Sequence, residues 1–287
     1  MALDNSPVYH CIYTDKSLNK KDGNSRGLSM GLFLTLFKAS LKSEAQYKFD
    51  FFVNIIGNFL GLFGDFIIVA FILMRFKSID GWELHEVALI YAIVEFGFGV
   101  YRFIGDGFNK FETLILSGKF DTLLIRPASA LFQVMLQKVD FKRLGMVVQA
   151  VAVGTWGIQR STFINNSFYF YLPLQLLASV VVNIELSIIL AAIAFWTGKN
   201  EDIIILGHYS TRSAATYPAT IYHKIFSQIL TFVIPFFSVS YYPLLYFTGK
   251  SQNSLYLLAP FLGILVMTPI SYKIWVSGVK RYSSTGT

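Results

Sequence analysis

Apolar and polar residues divide this chain into long hydrophobic runs separated by short polar turns, after a polar start. Residues 1–29 carry Asp4, Asp15, Lys16, Lys20, Lys21, Asp22 and Arg26. They offer too little apolar surface to offset the entropy of ordering, so a flexible tail is expected there. From Met30 to Lys48, Phe33, Phe37, Leu41 and Ala45 recur every four residues while Lys38 and Lys42 share another face. That pattern predicts an amphipathic helix lying in a membrane interface, a continuation of the first span being the plainer alternative. Six hydrophobic runs follow, predicted to cross a hydrocarbon core about 30 Å thick. They cover residues 51–74, 84–105, 144–159, 168–196, 225–247 and 254–276.

Prolines modify this pattern. Pro127 suits the first turn of a helix, where its missing N–H is not needed, so one helix is expected from Ala128 to about Gly157. Pro235 and Pro243 interrupt the fifth run, and Pro260 and Pro269 the sixth. Proline inside a membrane helix kinks it or breaks it into half-helices. The Tyr241–Tyr242–Pro243 group is therefore expected as a short re-entrant turn near the outer boundary, with an aromatic belt anchor as the alternative. The expected fold class is an all-α integral membrane protein with six transmembrane helices preceded by an interfacial helix, residues 282–287 forming a C-terminal tail.

Composition supports a membrane protein. Of 287 residues 54% are hydrophobic and 14% charged, against about 25% charged in soluble domains. The first 29 residues lack the apolar core of a cleavable signal peptide. A single cysteine, Cys11, excludes an intrachain disulfide. The net charge of +7 does not indicate nucleic acid, because no basic stripe carries interleaved aromatics. In a membrane protein, basic excess marks cytoplasmic segments. With six spans, 20 of the 24 Lys and Arg fall on the side of both termini, residues 106–143 and a polar loop at Lys199–Lys224. Only Arg75, Lys77, Arg160 and Lys250 fall opposite. Both termini and both long loops are thus expected in the cytoplasm.

The first of those loops, Asp106–Pro127, contains a bounded short helix, with Asp106 as N-cap and Gly118 just past its end. Phe108, Phe111 and Ile115 share one face, and Asn109, Lys110, Glu112 and Thr113 are polar neighbours. Such a helix can dock on membrane-embedded protein and present its polar residues to a cytosolic partner. An interfacial helix without a partner fits the same spacing.

The segment GKFDTLLIRP (Gly118–Pro127), following GFNKFETLILS, resembles the loop after the second span in the type-2 ABC transporter permease family. It is closest to a subgroup with a G-x-[FL]-D-x-L-L-[LI]-R-P signature. YPATIY (Tyr217–Tyr222) and TFVIPFFSVSYYP (Thr231–Pro243) resemble the same subgroup's fifth-span region, and the likeness spans about Leu41–Arg281. The resemblance implies an exporter subunit in the cell membrane, surrounded by lipid and paired with a second permease, identical or paralogous. A cytosolic ABC ATPase dimer would dock through coupling helices, here Phe108–Ser117. Asp121 and Arg126 would fix the following turn by capping and pairing. This chain would bind no cofactor, with ATP and Mg on the ATPase. Its one Gly-Lys-Ser, Gly249–Ser251, has Leu244 where a P-loop needs glycine.

Asn54, Asn58, Asp65, Glu95 and Glu185 fall at membrane depth, where an unpaired charge costs several kcal/mol. They serve either a polar path or pairing between helices; Asn54 and Asn58, four apart, suit interhelical hydrogen bonds. The four histidines show no ligand spacing, so no structural metal is expected. A secondary transporter or channel without an ATPase partner is the alternative, although no inverted repeat is visible. A membrane-embedded enzyme would require a clustered acid, base or metal site, which the pattern lacks.

Overall fold

The computed structural model describes residues 78–283 except 127 and 138, with scattered positions between Val53 and Phe71. The N-terminal tail, the amphipathic helix and most of the first span, including Asn54, Asn58 and Asp65, lie outside the described residues. The described chain is mainly helical. A two-residue hairpin, β1 (Ser78–Ile79) with β2 (Trp82–Glu83), turns through Asp80 and Gly81 at positive φ. An Asp-Gly pair suits so tight a turn.

Helix α1 (Leu84–Ile104) follows directly. Its first turn is closed by a capping box in which Glu83 N–H donates to Glu86 at 2.8 Å. Short helices α2 (Phe111–Leu116), α3 (Lys119–Leu124) and α4 (Ala130–Met135) come next, then the longer α5 (Leu144–Arg160) and α6 (Asn166–Ala192). Helix α6 continues through α7 (Ala194–Thr197). The long helix expected from Ala128 is broken: the Asp140 side chain accepts from Lys142 N–H and opens a 3-10 turn, Phe141–Arg143, before α5. Residues 106–124 form a layer at the end of the bundle opposite the hairpin.

Residues 199–224, expected as a polar loop, are largely helical. Helix α8 (Glu201–Ile204), a π-helical turn (Ile205–Tyr209) and α9 (Ser210–Ala215) run on without a gap. Ile204, His208, Thr211, Arg212 and Ala215 are buried, giving this helix one inward face. It starts beside the 106–124 layer, where Glu112 meets Asn200. It leads to the hairpin end, where the rings of Tyr222, Phe237, Tyr241 and Trp82 succeed one another at 6.0, 6.1 and 5.1 Å. At about 1.5 Å per residue the 201–215 helix is about 22 Å long; it leads from the 106–124 layer into the middle of the bundle, where Arg212 meets Glu95, and residues 216–222 continue toward the hairpin end.

The predicted fifth span, 225–247, is a bent pair instead. Helix α10 (Lys224–Gln228) and a π-helical turn (Ile229–Val233) meet α11 (Phe236–Phe247) at 103°. At about 1.5 Å per residue, each limb is about 15–18 Å long, too short for a hydrocarbon core of about 30 Å. The outer ends of both limbs lie at the hairpin end: Ser227 donates to Ala219 O at 2.7 Å, and Phe247 packs on Phe168 near the start of α6 at 5.1 Å. The pair thus enters and leaves the bundle at the same end. Its break is at Ile234–Pro235, and Pro243 sits inside α11, so the turn expected at Tyr241–Pro243 is absent.

After a 3-10 turn (Ser254–Leu258), α12 (Ala259–Arg281) is one continuous helix with Pro260 in its first turn and Pro269 inside. Among the described residues, three helices are long and apolar enough to cross a membrane: Leu84–Ile104, Asn166–Thr197 and Ser254–Arg281. The bent pair, counted as one, makes a fourth by length and composition. Among the described residues, two large apolar cores result, beside a small cluster of Ala88, Tyr91 and Val153. One gathers Trp82, Phe168, Phe236, Phe237 and Tyr241 toward the hairpin end; the other gathers Phe98, Phe108, Phe111, Phe120 and Trp275 toward the opposite end.

Candidate functional site

The 106–124 layer is built in two short helices rather than one. A 3-10 turn (Asp106–Lys110) leads into α2, and Gly118 at φ +65° reverses the chain into α3. That backbone conformation favours glycine. Asp106, expected as the N-cap, makes no cap; Gly105 holds that position. Its carboxylate accepts from Arg102 at 3.1 Å and from Asn109 at 3.2 Å. The buried Arg102 charge, one turn back on α1, would be costly without that partner. Gly107 is pressed against α4 so closely that a Cβ would lie 1.9 Å from Val134 O.

Phe108, Phe111 and Ile115 face inward and are buried. Phe111 meets Phe120, Phe195 and Trp275 at ring distances of 5.3, 5.0 and 5.2 Å, so α2 is held by rings from α3, α7 and α12. Edge-to-face aromatic contacts of this kind stabilise by about 0.5–1.5 kcal/mol each beyond area burial.

Two of the polar neighbours face inward as well. Asn109 donates to the Tyr101 hydroxyl at 2.9 Å. Glu112 Oε2 accepts from Asn200 N–H at 2.8 Å and Glu201 N–H at 3.1 Å, holding the start of α8. Both, expected to present themselves to a partner, make bonds within the chain. Lys110 and Thr113 do point outward, joined by Leu116, Ser117, Lys119, Thr122, Leu124 and Ile125. Ile125 is 85% exposed.

Asp121 and Arg126 are expected to fix the turn after the layer. Asp121 lies beside Tyr282, whose phenol is pushed up to about 12 by burial and by that carboxylate. Gln133 also ties this turn, its amide donating to Leu123 O and Ala128 O, both at 2.9 Å. No sequence spacing pointed to Gln133.

A family model described as ABC-2 family transporter protein matches residues 59–286, well over half of the chain. The chain belongs to the ABC-2 transporter family. No curated protein and no solved structure matches it.

Among the described residues of this ABC-2 chain, two carboxylates expected at membrane depth, Glu95 and Glu185, each accept a bond from another helix. Glu95 on α1 accepts from Arg212 on α9 at 2.7 Å, both buried, and the guanidinium lies over the Phe98 ring at 4.7 Å. His208 sits at 3.0 Å from Asn183 and 3.3 Å from Ser187, stacked on Tyr101 at 4.8 Å. Glu185 accepts from Thr268 on α12. Among the described residues no three His, Cys, Asp or Glu converge on a metal position. What the layer offers is a rigid, internally tied surface at one end of an ABC-2 bundle, suited to docking.

Proposed function

We propose that this chain is the permease subunit of an ATP-driven exporter, forming the translocation path and receiving the stroke of a separate ATPase through the 106–125 layer. The observation that carries the reading is that layer itself: in an ABC-2 chain, two short helices anchored by buried aromatics present Lys110, Thr113, Lys119 and Ile125 outward at one end of the bundle. Phe108, Phe111 and Ile115 anchor the coupling element, and its outward residues meet the partner. The partner is a cytosolic ABC ATPase dimer that binds ATP and Mg, and a second permease, the same chain or a paralogue, completes the assembly. Membrane lipid covers exposed apolar residues such as Leu262, Leu265, Val266 and Ile270 on α12.

Topology supports this orientation. If residues 201–222 cross and the 224–247 pair dips in and out, the first hydrophobic run, α1, α5, α6–α7, 201–222 and α12 give six crossings. Setting aside the buried Arg212, eighteen Lys and Arg then lie on the side of the 106–125 layer and five on the other, so that layer faces the cytoplasm. The test is the double variant Lys110→Glu with Ile125→Glu. It is expected to lower the amount of co-purified ATPase at least about tenfold, the loss of a modest docking hot spot. Unchanged co-purification would place docking elsewhere.

A further inference from the structure

We propose that Glu112 is the positioning residue that carries movement of the 106–116 layer into the 201–215 helix. This rests on the permease reading above. The first N–H groups of a helix have no partner within it and favour an anion nearby. Asn200, by residue type a natural cap, makes no side-chain bond to α8. The acceptor comes instead from Glu112, 88 residues away in sequence, which takes both the Asn200 and the Glu201 N–H. The start of the 201–215 helix is therefore held by a side chain of the docking layer.

The layer's other ties to the bundle are ring packing on α7 and α12 and two polar contacts to α1, Asp106 with Arg102 and Asn109 with Tyr101. The bond from Glu112 is directional and pulls on backbone. About two turns deeper the same helix is tied through His208, stacked on Tyr101, whose hydroxyl accepts from Asn109 of the layer. The π-helical turn Ile205–Tyr209 contains His208 and lies between the Glu112 tie and the Glu95–Arg212 pair. Such turns interrupt regular helical bonding and recur at functional positions. A displacement of α2 therefore reaches the 201–215 helix at its first residue, ahead of a segment able to deform.

The test compares Glu112→Asp with Glu112→Gln in the full-length chain, purified with its ATPase in lipid nanodiscs. Asp keeps the charge but is one methylene too short to reach both amides; Gln keeps the reach and an acceptor oxygen. Hydrogen–deuterium exchange is followed over residues 106–116 and 200–215, with and without trapped nucleotide. Both variants are expected to retain the ATPase and the nucleotide-dependent change over 106–116. Glu112→Gln should also retain most of the change over 200–215, whereas Glu112→Asp should reduce it about tenfold, the effect of losing a strong hydrogen-bond tie. A Glu112→Asp variant with the full change over 200–215, or a Glu112→Gln variant that loses it, overturns the proposal, the second outcome pointing to charge rather than reach. If no ATPase accompanies the wild-type chain, the permease reading fails and the tie is tested alone: Glu112→Asp must still exchange faster than Glu112→Gln over residues 200–204, and equal rates overturn it.

Discussion

Gln133 shows how much a single side chain holds at this end of the molecule. Its amide satisfies two carbonyls, Leu123 O and Ala128 O, and Gln133→Ala leaves both without that donor. The expected cost is about 1–3 kcal/mol, read as a lower melting temperature of the purified chain; an unchanged melt would show that water replaces the amide. The Glu95–Arg212 pair makes a stronger case, since removing one partner strands a buried charge at a cost of about 3–5 kcal/mol. Glu95→Leu and Arg212→Met should each destabilise more alone than together, and a double variant worse than either single would refute the pairing as the reason for these charges. The inward set Phe108, Phe111 and Ile115 was legible because helical spacing depends only on neighbours. The engagement of Glu112 and Asn109 was not, because their partners are remote in sequence and only the folded chain brings them close. Composition drew attention to Glu95 at membrane depth, but its partner Arg212 belonged to a stretch that looked like a loop.

Among the elements, the 201–215 helix departs furthest from expectation. Glu201, Asp202, His208 and Arg212 make the stretch polar on average, so hydrophobic patterning placed it outside the membrane. The polar groups are tolerable because His208 and Arg212 find Asn183, Ser187 and Glu95 inside the bundle. The apolar 225–247 run, conversely, has span-like composition but contains a 103° bend at Pro235, where proline lacks the donor that a continuing helix needs. Cysteine labelling separates the two topologies. In a Cys11→Ser background, Lys224→Cys should react with a membrane-impermeant maleimide on intact cells, and Lys199→Cys only after permeabilisation. Equal protection of both would return 199–224 to one side as a loop. The same scale governs Gly107, where α4 approaches to within 1.9 Å of any added Cβ: Gly107→Ala should displace α4 from the layer and sharply lower the yield of folded protein, and a wild-type yield and melt would contradict so close an approach.

At the scale of the whole molecule, the two apolar cores divide the work. The core toward the hairpin end fixes the bent pair against α1 and α6, and the opposite core fixes the 106–124 layer against α7 and α12. Between them run the paired charges that let polar helix surfaces cross an apolar slab. In the proposed assembly, energy for transport comes from a second protein gripping the exposed side of the 106–125 layer. The most direct test is to purify the full-length chain from its native membrane in nanodiscs and quantify the soluble ATPase that elutes with it. The proposal predicts an ABC ATPase at one copy per permease chain, hydrolysing ATP with Mg. A chain that elutes without any ATPase while still mediating transport in reconstituted vesicles would contradict it.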